Sequence, residues 1–295
     1  MSRILLTGIN GQVGFELADA LAPLGEVVAV SRAECDLTDV AAVEALLARI
    51  GPDMIVNPAA YTAVDRAESD ETTAMAVNVA APAAMARWAA AHGALLVHYS
   101  TDYVFDGDGA EPYRETDPTG PRSMYGRSKW LGEEAVRAAG GRHLILRTSW
   151  VFGRHGANFL KTMLRLAGER ETLRVVADQF GAPTSAALIA DMTARQLQRY
   201  LSQPNSAPLG TYHLTAQGRT NWCDYARYVI DGARKRGMTL KVTDIEAIGT
   251  ADYPLPAPRP ANSCLDCGKL ERDIGITLPP WQDGVDRVLD QLIAP

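Results

Sequence analysis

Between residues 4 and 147, short apolar runs alternate with stretches of helical periodicity, and no other feature restricts the fold as strongly. Ile4-Leu5-Leu6 stops at Thr7-Gly8, and apolar runs this short, bounded by glycine, fit strands buried on both faces of a parallel sheet. Val13, Leu17, Leu21 and Leu24 then recur at three and four residues, as on one helical face, until Pro23 and Gly25 end the segment. Residues 26–30, 53–57, 94–99 and 143–147 read as further strands. Residues 40–50, the alanine-rich 73–91 and 124–139 read as the intervening helices. Strict alternation means βαβ units, which predicts an α/β fold with a doubly wound parallel sheet.

Beyond residue 152 the alternation loosens. Helices are expected over 158–167 and 186–201, from Trp222 onward, and near 284–292. Strands are expected over 173–176, 212–214 and near 240–242, and a proline-rich stretch covers 253–260. The expected organisation is a nucleotide-binding domain over 1–152, to which 187–219 returns. A smaller, interleaved C-terminal substrate domain takes 153–186 and 220–295.

The chain has 295 residues, 47% of them hydrophobic, enough for one large core or two modest ones. Its 35 acidic residues outnumber 29 basic ones for a net charge of -6, which disfavours a nucleic-acid binder but leaves small anionic ligands open. Four cysteines cannot frame a chain of this length, and Cys264-Leu265-Asp266-Cys267 supplies only two zinc ligands. No apolar run is long enough to cross a bilayer, and none near Met1 resembles a signal peptide, so a cytoplasmic protein with no membrane partner is expected.

Three motifs carry chemistry. Gly8-Ile9-Asn10-Gly11-Gln12-Val13-Gly14 follows the first strand and opens the first helix, where close backbone approach and a helix N-terminus suit a pyrophosphate. Its spacing, G-x-x-G-x-x-G, departs from the commonest dinucleotide fingerprint, and a plain βα turn is the alternative. Tyr125-Gly126-Arg127-Ser128-Lys129 sets a phenol and an ammonium one helical turn apart. A nearby ammonium favours the phenolate, so the pair can act in general acid–base work. Ser100-Thr101-Asp102 stands at the carboxyl end of the fourth strand, where open α/β sheets bind ligands, although these residue types are also ordinary turn formers. After the second strand come Ser31 and Arg32. Arg32 can meet a 2′-phosphate or be a solvated surface residue.

With these motifs the sequence resembles the short-chain dehydrogenase/reductase family, in its extended, sugar-nucleotide-modifying branch. Ala63-Val64-Asp65-Arg66-Ala67-Glu68, Ser100-Thr101-Asp102-Tyr103-Val104-Phe105, Arg147-Thr148-Ser149-Trp150-Val151, Asp178-Gln179-Phe180-Gly181-Ala182-Pro183-Thr184 and Arg259-Pro260-Ala261-Asn262-Ser263 narrow the likeness to the reductases acting on dTDP-4-dehydrorhamnose. The resemblance implies a Rossmann-like fold and reduction of the 4-keto group of dTDP-4-dehydro-L-rhamnose to dTDP-L-rhamnose by NADPH or NADH. It implies that Tyr125 protonates the incipient alkoxide, Lys129 holds the nicotinamide ribose and lowers the phenol pKa, and Thr101 bonds the keto oxygen. Cofactor contacts are implied at Gly8, Asn10, Gly11, Gln12, Val13, Ser31, Arg32, Asp36, Leu37, Ala60, Tyr61 and Thr62, with Asp36-Leu37 flanking the adenine. Substrate contacts are implied at Asp102, Trp150, Gln179 and Arg259, the last through paired bonds to a diphosphate.

Some family members bind magnesium between subunits. Glu16 matches one such position, but Ala186-Ala187 stand where those members carry an acid, so neither the metal nor a homodimer built on it is expected. Ser31 replaces an acid found in some relatives, which points to NADPH acceptance. Other readings within the fold are a different sugar-nucleotide ketoreductase or epimerase, or a binding-only subunit like the regulatory partner of methionine adenosyltransferase. Dehydratases of the branch carry an Asp-Glu pair after the threonine, where this chain has Asp102-Tyr103.

Overall fold

The computed structural model describes residues 2–293; Met1, Ala294 and Pro295, the outer ends of the expected domain spans, lie outside the described residues. Five strands alternate with helices through the first half: Arg3–Leu6 (β1), Gln12–Leu21 (α1), Glu26–Ala29 (β2), Val40–Ile50 (α2), Met54–Asn57 (β3), Val64–Ala67 (α3), Glu71–Met75 (α4), Ala81–His92 (α5), Leu95–Thr101 (β4), Met124–Ala138 (α6) and His143–Thr148 (β5). The second half adds Val151–Phe152 (β6), Phe159–Glu169 (α7), Thr172–Val176 (β7), Phe180–Gly181 (β8), Thr184–Ser185 (β9), Ala186–Ser202 (α8) and Gly210–His213 (β10). Thr220–Asn221 (β11), Trp222–Lys235 (α9), Asp244–Ile248 (β12), Gly268–Ile274 (α10) and Trp281–Ile293 (α11) follow.

The main sheet has the order β10-β5-β4-β3-β1-β2, all parallel, with β10 in register on β5 from Gly210↔Leu144 to His213↔Arg147. Alternate side chains serve opposite faces. Ile4, Leu6, Val56, Val97 and Leu146 pack with Leu17 and Leu21 of α1 and Ile189 and Leu197 of α8. Leu5, Ile55, Leu96 and Ile145 face Val43 and Leu47 of α2, Met85 of α5 and Val136 of α6. This double cover explains why the strands read as continuous apolar runs.

A second core joins α7, α9 and α11 over the parallel pair β7–β12, centred on Leu160, Leu173, Tyr225, Val229 and Leu289. The strand expected near 240–242 lies at Asp244–Ile248. The N–H groups of Lys241 and Val242 go instead to the carbonyl of Ala167 near the end of α7. Residues 220–295 do not all belong to this lobe. Leu270 and Leu278 join the main-sheet core, and the Tyr212 hydroxyl of β10 donates to Asp273 Oδ2 at 2.7 Å.

The alanine-rich stretch is helical from Glu71 to His92 but passes through a π turn at Ala76–Ala80. Pro82 has no N–H to give to the carbonyl four residues earlier, that of Asn78, so the helical ladder is interrupted there. Among the described residues no helix is long and apolar enough to cross a membrane.

Candidate active site

The carboxyl ends of β1, β3, β4 and β5 open into a cleft of about 1270 Å³ between the two lobes. The strand order reverses at β1, and open α/β sheets bind ligands beyond the strand ends at such a point. Every residue singled out above for cofactor, substrate or catalysis lines this cleft.

On one side lies the glycine-rich turn. Gly8 takes φ +62°, and a Cβ at Gly14 would lie 2.1 Å from the Gly8 carbonyl oxygen, so α1 packs closer to the turn than any side chain permits. Gly11 caps α1 with no side-chain bond to its first N–H groups, in contrast to the Ser123, Asn158 and Asn221 caps of α6, α7 and α9. Those free donors at the positive end of the helix fit a pyrophosphate. The Gln12 side chain itself faces the second lobe, where its Oε1 accepts from Asn158 Nδ2 at 3.0 Å. The Asn10 carbonyl meets His155 Nε2 at 3.0 Å.

The loop after β3 carries Ala60, Tyr61 and Thr62. It is fixed by Asn78, which sequence reasoning did not identify. Asn78 Oδ1 accepts from the Tyr61 N–H at 2.8 Å, while its Nδ2 donates to the Tyr61 carbonyl at 3.1 Å and to Ser128 Oγ at 2.9 Å. The π turn thereby joins the loop after β3 to the helix bearing Tyr125 and Lys129. A lone amide inside an alanine-rich helix was the available signal.

Tyr125 and Lys129 start α6, whose Ser123 cap accepts from the Gly126 N–H. Lys129 is 2% exposed; its Nζ donates to the Tyr99 carbonyl at 2.7 Å and lies 3.5 Å from His98 Nε2. Burial pulls the ammonium down to about 8, a shift that Glu133 opposes. Burial also pushes the Tyr125 phenol up to about 12, opposed by Thr101. In this arrangement Tyr125 is a protonated acid, and no lowering of its pKa by Lys129 is evident. The Thr101 hydroxyl donates to Asp102 Oδ1 at 3.0 Å. Asp102 is raised to about 6 by burial, and its Oδ2 has no hydrogen-bond partner.

Glu133, one turn beyond Lys129, is fully buried and takes a bidentate pair from Arg147 of β5 at 2.8 and 2.7 Å. This ion pair fastens α6 to the sheet, and sequence reasoning did not find it. Trp150 takes φ 49°, unique among the described non-glycine residues, and stacks on Trp222 with ring centroids 3.6 Å apart. Such backbone outliers gather at functional sites. Two expected substrate contacts are already engaged. Gln179 Oε1 accepts from Trp222 Nε1 and its Nε2 donates to Thr250 Oγ1, so both ends of its amide are used. Arg259 Nη2 donates to Asp65 Oδ2 at 2.7 Å, so its guanidinium ties the proline-rich loop to α3.

The end of β2 also differs from expectation. Two carboxylates stand beside Ser31 and Arg32: Glu34 Oε2 accepts from the Ser31 N–H at 2.7 Å, and Asp36 Oδ2 pairs with Arg32 at 3.1 Å. A tight turn closed by the Cys35 N–H on the Ser31 carbonyl brings Glu34 back over the strand end. Glu16 pairs with Arg154 at 3.5 Å, and among the described residues no group of three or more His, Cys, Asp or Glu could hold a metal.

A helix-borne phenol and ammonium beside a strand-end hydroxyl, facing an uncapped glycine turn, is the arrangement of a nicotinamide-nucleotide oxidoreductase of the short-chain dehydrogenase/reductase type. Comparison with known proteins narrows the class. Residues 1–294 match the family model described as RmlD substrate binding domain. The chain is 48% identical to the dTDP-4-dehydrorhamnose reductase of Salmonella typhimurium over 294 residues, 98% of each chain. It is also 48% identical to that of Burkholderia thailandensis over 296 residues, 99% of each. The crystal structure of dTDP-4-dehydrorhamnose reductase from Bacillus anthracis in complex with NADP superposes with a TM-score of 0.90 at 34% identity, covering 98% of this chain and 99% of that one. The chain belongs to the RmlD substrate binding domain family.

Proposed function

We propose that the protein reduces the 4-keto group of dTDP-4-dehydro-L-rhamnose to dTDP-L-rhamnose with NADPH or NADH. The observation that carries this reading is the convergence of Thr101, Tyr125 and Lys129 at the strand ends, in the same cleft as the uncapped glycine turn. The relatives named above support the choice of substrate.

The glycine turn would hold the dinucleotide pyrophosphate, and the loop fixed by Asn78 would shape the adjoining wall. A bound reduced nicotinamide supplies hydride to the carbonyl carbon. Thr101 and Tyr125 donate to the keto oxygen as negative charge grows on it. Tyr125 then transfers its proton to that oxygen. A phenol held near 12 remains protonated at neutral pH, and an alkoxide is a far stronger base than phenolate, so the transfer runs downhill. The Lys129 ammonium orients the cofactor ribose and offsets the phenolate that remains. Trp150 and Trp222 wall the cleft on the sugar side.

The purified protein should consume NADPH or NADH only when a dTDP-4-dehydro-6-deoxyhexose is supplied; no consumption with either nucleotide refutes the reading. Tyr125→Phe should lose about 10²-fold or more in turnover while still binding the nucleotide. Full activity in that variant would remove Tyr125 as the acid.

A further inference from the structure

We infer that His98 is a positioning residue for Lys129: its imidazole turns a bare Nε2 toward the ammonium and, with the Tyr99 carbonyl, aims the remaining N–H at the cleft. The inference rests on the reading of the cleft as a reductase site, and it assigns a buried group that takes no part in the proton or hydride transfer itself. Alternation along the strands accounts for its place. Leu5, Ile55 and Leu96 lie side by side in the sheet and face the helices; two residues further on, Thr7, Asn57 and His98 turn to the same face. The apolar row thus gives way to a polar one at the carboxyl ends of β1 and β3.

The imidazole is fully buried, so each of its nitrogens needs a partner. Nε2 lies 3.5 Å from Lys129 Nζ, and Nδ1 lies 3.4 Å from Asn57 Nδ2, while Asn57 Oδ1 accepts from Thr7 Oγ1 at 2.6 Å. Gly132, on α6 beyond Lys129, walls the ring on the helix side: a Cβ there would stand 3.6 Å from Nε2, in van der Waals contact. An ammonium carries three N–H groups. Among the described residues Nζ has two partners, this ring nitrogen and the Tyr99 carbonyl at 2.7 Å, which leaves one N–H for a ligand.

An ammonium only donates, so it sets the sense of the whole row. Nε2 is then the bare nitrogen and the ring proton sits on Nδ1. Asn57 meets that proton with its amide oxygen, a half-turn of the amide from the orientation in which Nδ2 faces the ring. Its nitrogen then donates to Thr7 Oγ1, and every member of the row keeps a partner. Burial and the neighbouring ammonium hold His98 well below the usual imidazole range, so the ring stays uncharged. No other charged neighbour does the same work. Glu133, one turn along α6, favours the ammonium but gives its carboxylate to Arg147 of β5 and to Arg137. Asp102 and Tyr103 beyond β4 bear on Tyr125, and Glu68 bonds the Met124 N–H. Burial already pulls Lys129 down to about 8, so loss of the Nε2 acceptor lowers it further.

The tautomer is read first, without substrate or nucleotide. Long-range proton–nitrogen correlation spectra of the full chain with isotope-labelled histidine should show His98, identified by the signals lost in His98→Gln, with its proton on Nδ1 and a bare Nε2 between about pH 6 and 8. A proton on Nε2, or a charged ring, overturns the inference. The second arm is the pH profile of kcat/KM for NADPH with saturating dTDP-4-dehydro sugar, which reports ionisations of the free protein. Its basic limb should lie at about 8 in wild type. His98→Leu removes the acceptor and should move that limb down by about one pH unit, a tenfold change in the acid constant. His98→Gln, whose amide oxygen accepts in place of Nε2, should hold the limb within about 0.3 unit of wild type. A limb that stays in place in His98→Leu, as a purely structural role requires, overturns the inference. So does a limb that moves up, or one that moves as far in His98→Gln as in His98→Leu. No turnover by wild type would instead refute the reductase reading, and the positioning role would fall with it.

Discussion

Gly132→Ala tests whether the position of α6 is what makes Tyr125 and Lys129 effective. Gly132 lies in α6, one turn past Lys129, against the π turn, and a Cβ there would sit 2.1 Å from the Asn78 carbonyl oxygen. To reach an acceptable contact, α6 and the π turn must separate by about 1 Å. That shift acts on both groups Asn78 holds, Ser128 on α6 and Tyr61 in the loop after β3. Displacement of reacting groups by about 1 Å can cost on the order of 10²-fold in rate. Overpacking should also lower stability by about 1–3 kcal/mol. Helix propensity alone argues the opposite way, since alanine in place of glycine favours a helix by about 1 kcal/mol. The assays are reduced-nicotinamide consumption with saturating dTDP-4-dehydro sugar and denaturant unfolding. Unchanged turnover together with a rise in stability would refute the reasoning, because propensity would then have outweighed the contact.

Two further predictions rest on buried charge. Asp102→Asn should stabilise the protein by roughly 2–3 kcal/mol at pH 7 while lowering activity. The Asp102 pKa is higher in the folded chain than unfolded, so the carboxyl favours folding only when protonated, and that contribution is lost as pH rises through about 6. The advantage of the variant should therefore vanish below about pH 4, and a gain that persists there in urea melts would refute the assignment. Arg147→Met removes the bidentate partner of the buried Glu133 carboxylate and leaves it the single Arg137 bond at 3.0 Å, so it should cost up to about 3 kcal/mol, whereas pairing it with Glu133→Leu should recover most of the loss. Equal instability of the single and double variants would contradict this account.

The sheet was legible because burial on both faces leaves no polar alternation to confuse the reading of β1, β3, β4 and β5. The positions of the candidate residues Thr101, Tyr125 and Lys129 were legible for a related reason: they stand at a strand end or in the first turns of a helix, where short-range pattern fixes position. What escaped depended on pairs far apart in sequence. Asp65 and Arg259 are separated by 194 residues, and nothing local to either reveals the bond. Asn78 lay inside a stretch whose alanine content argued for unbroken helix, and Pro82 turned out to matter more than that average.

The place of β10 in the main sheet bears on how the chain matures on a ribosome. β5 acquires its outer neighbour only after residue 213, more than sixty residues after β5 itself has been made. Until then the nascent first half presents an open edge of hydrogen-bonding groups, and α8, which covers one face, is itself complete only at residue 202. Fragments ending near residue 152 should therefore aggregate rather than persist as a free nucleotide-binding module.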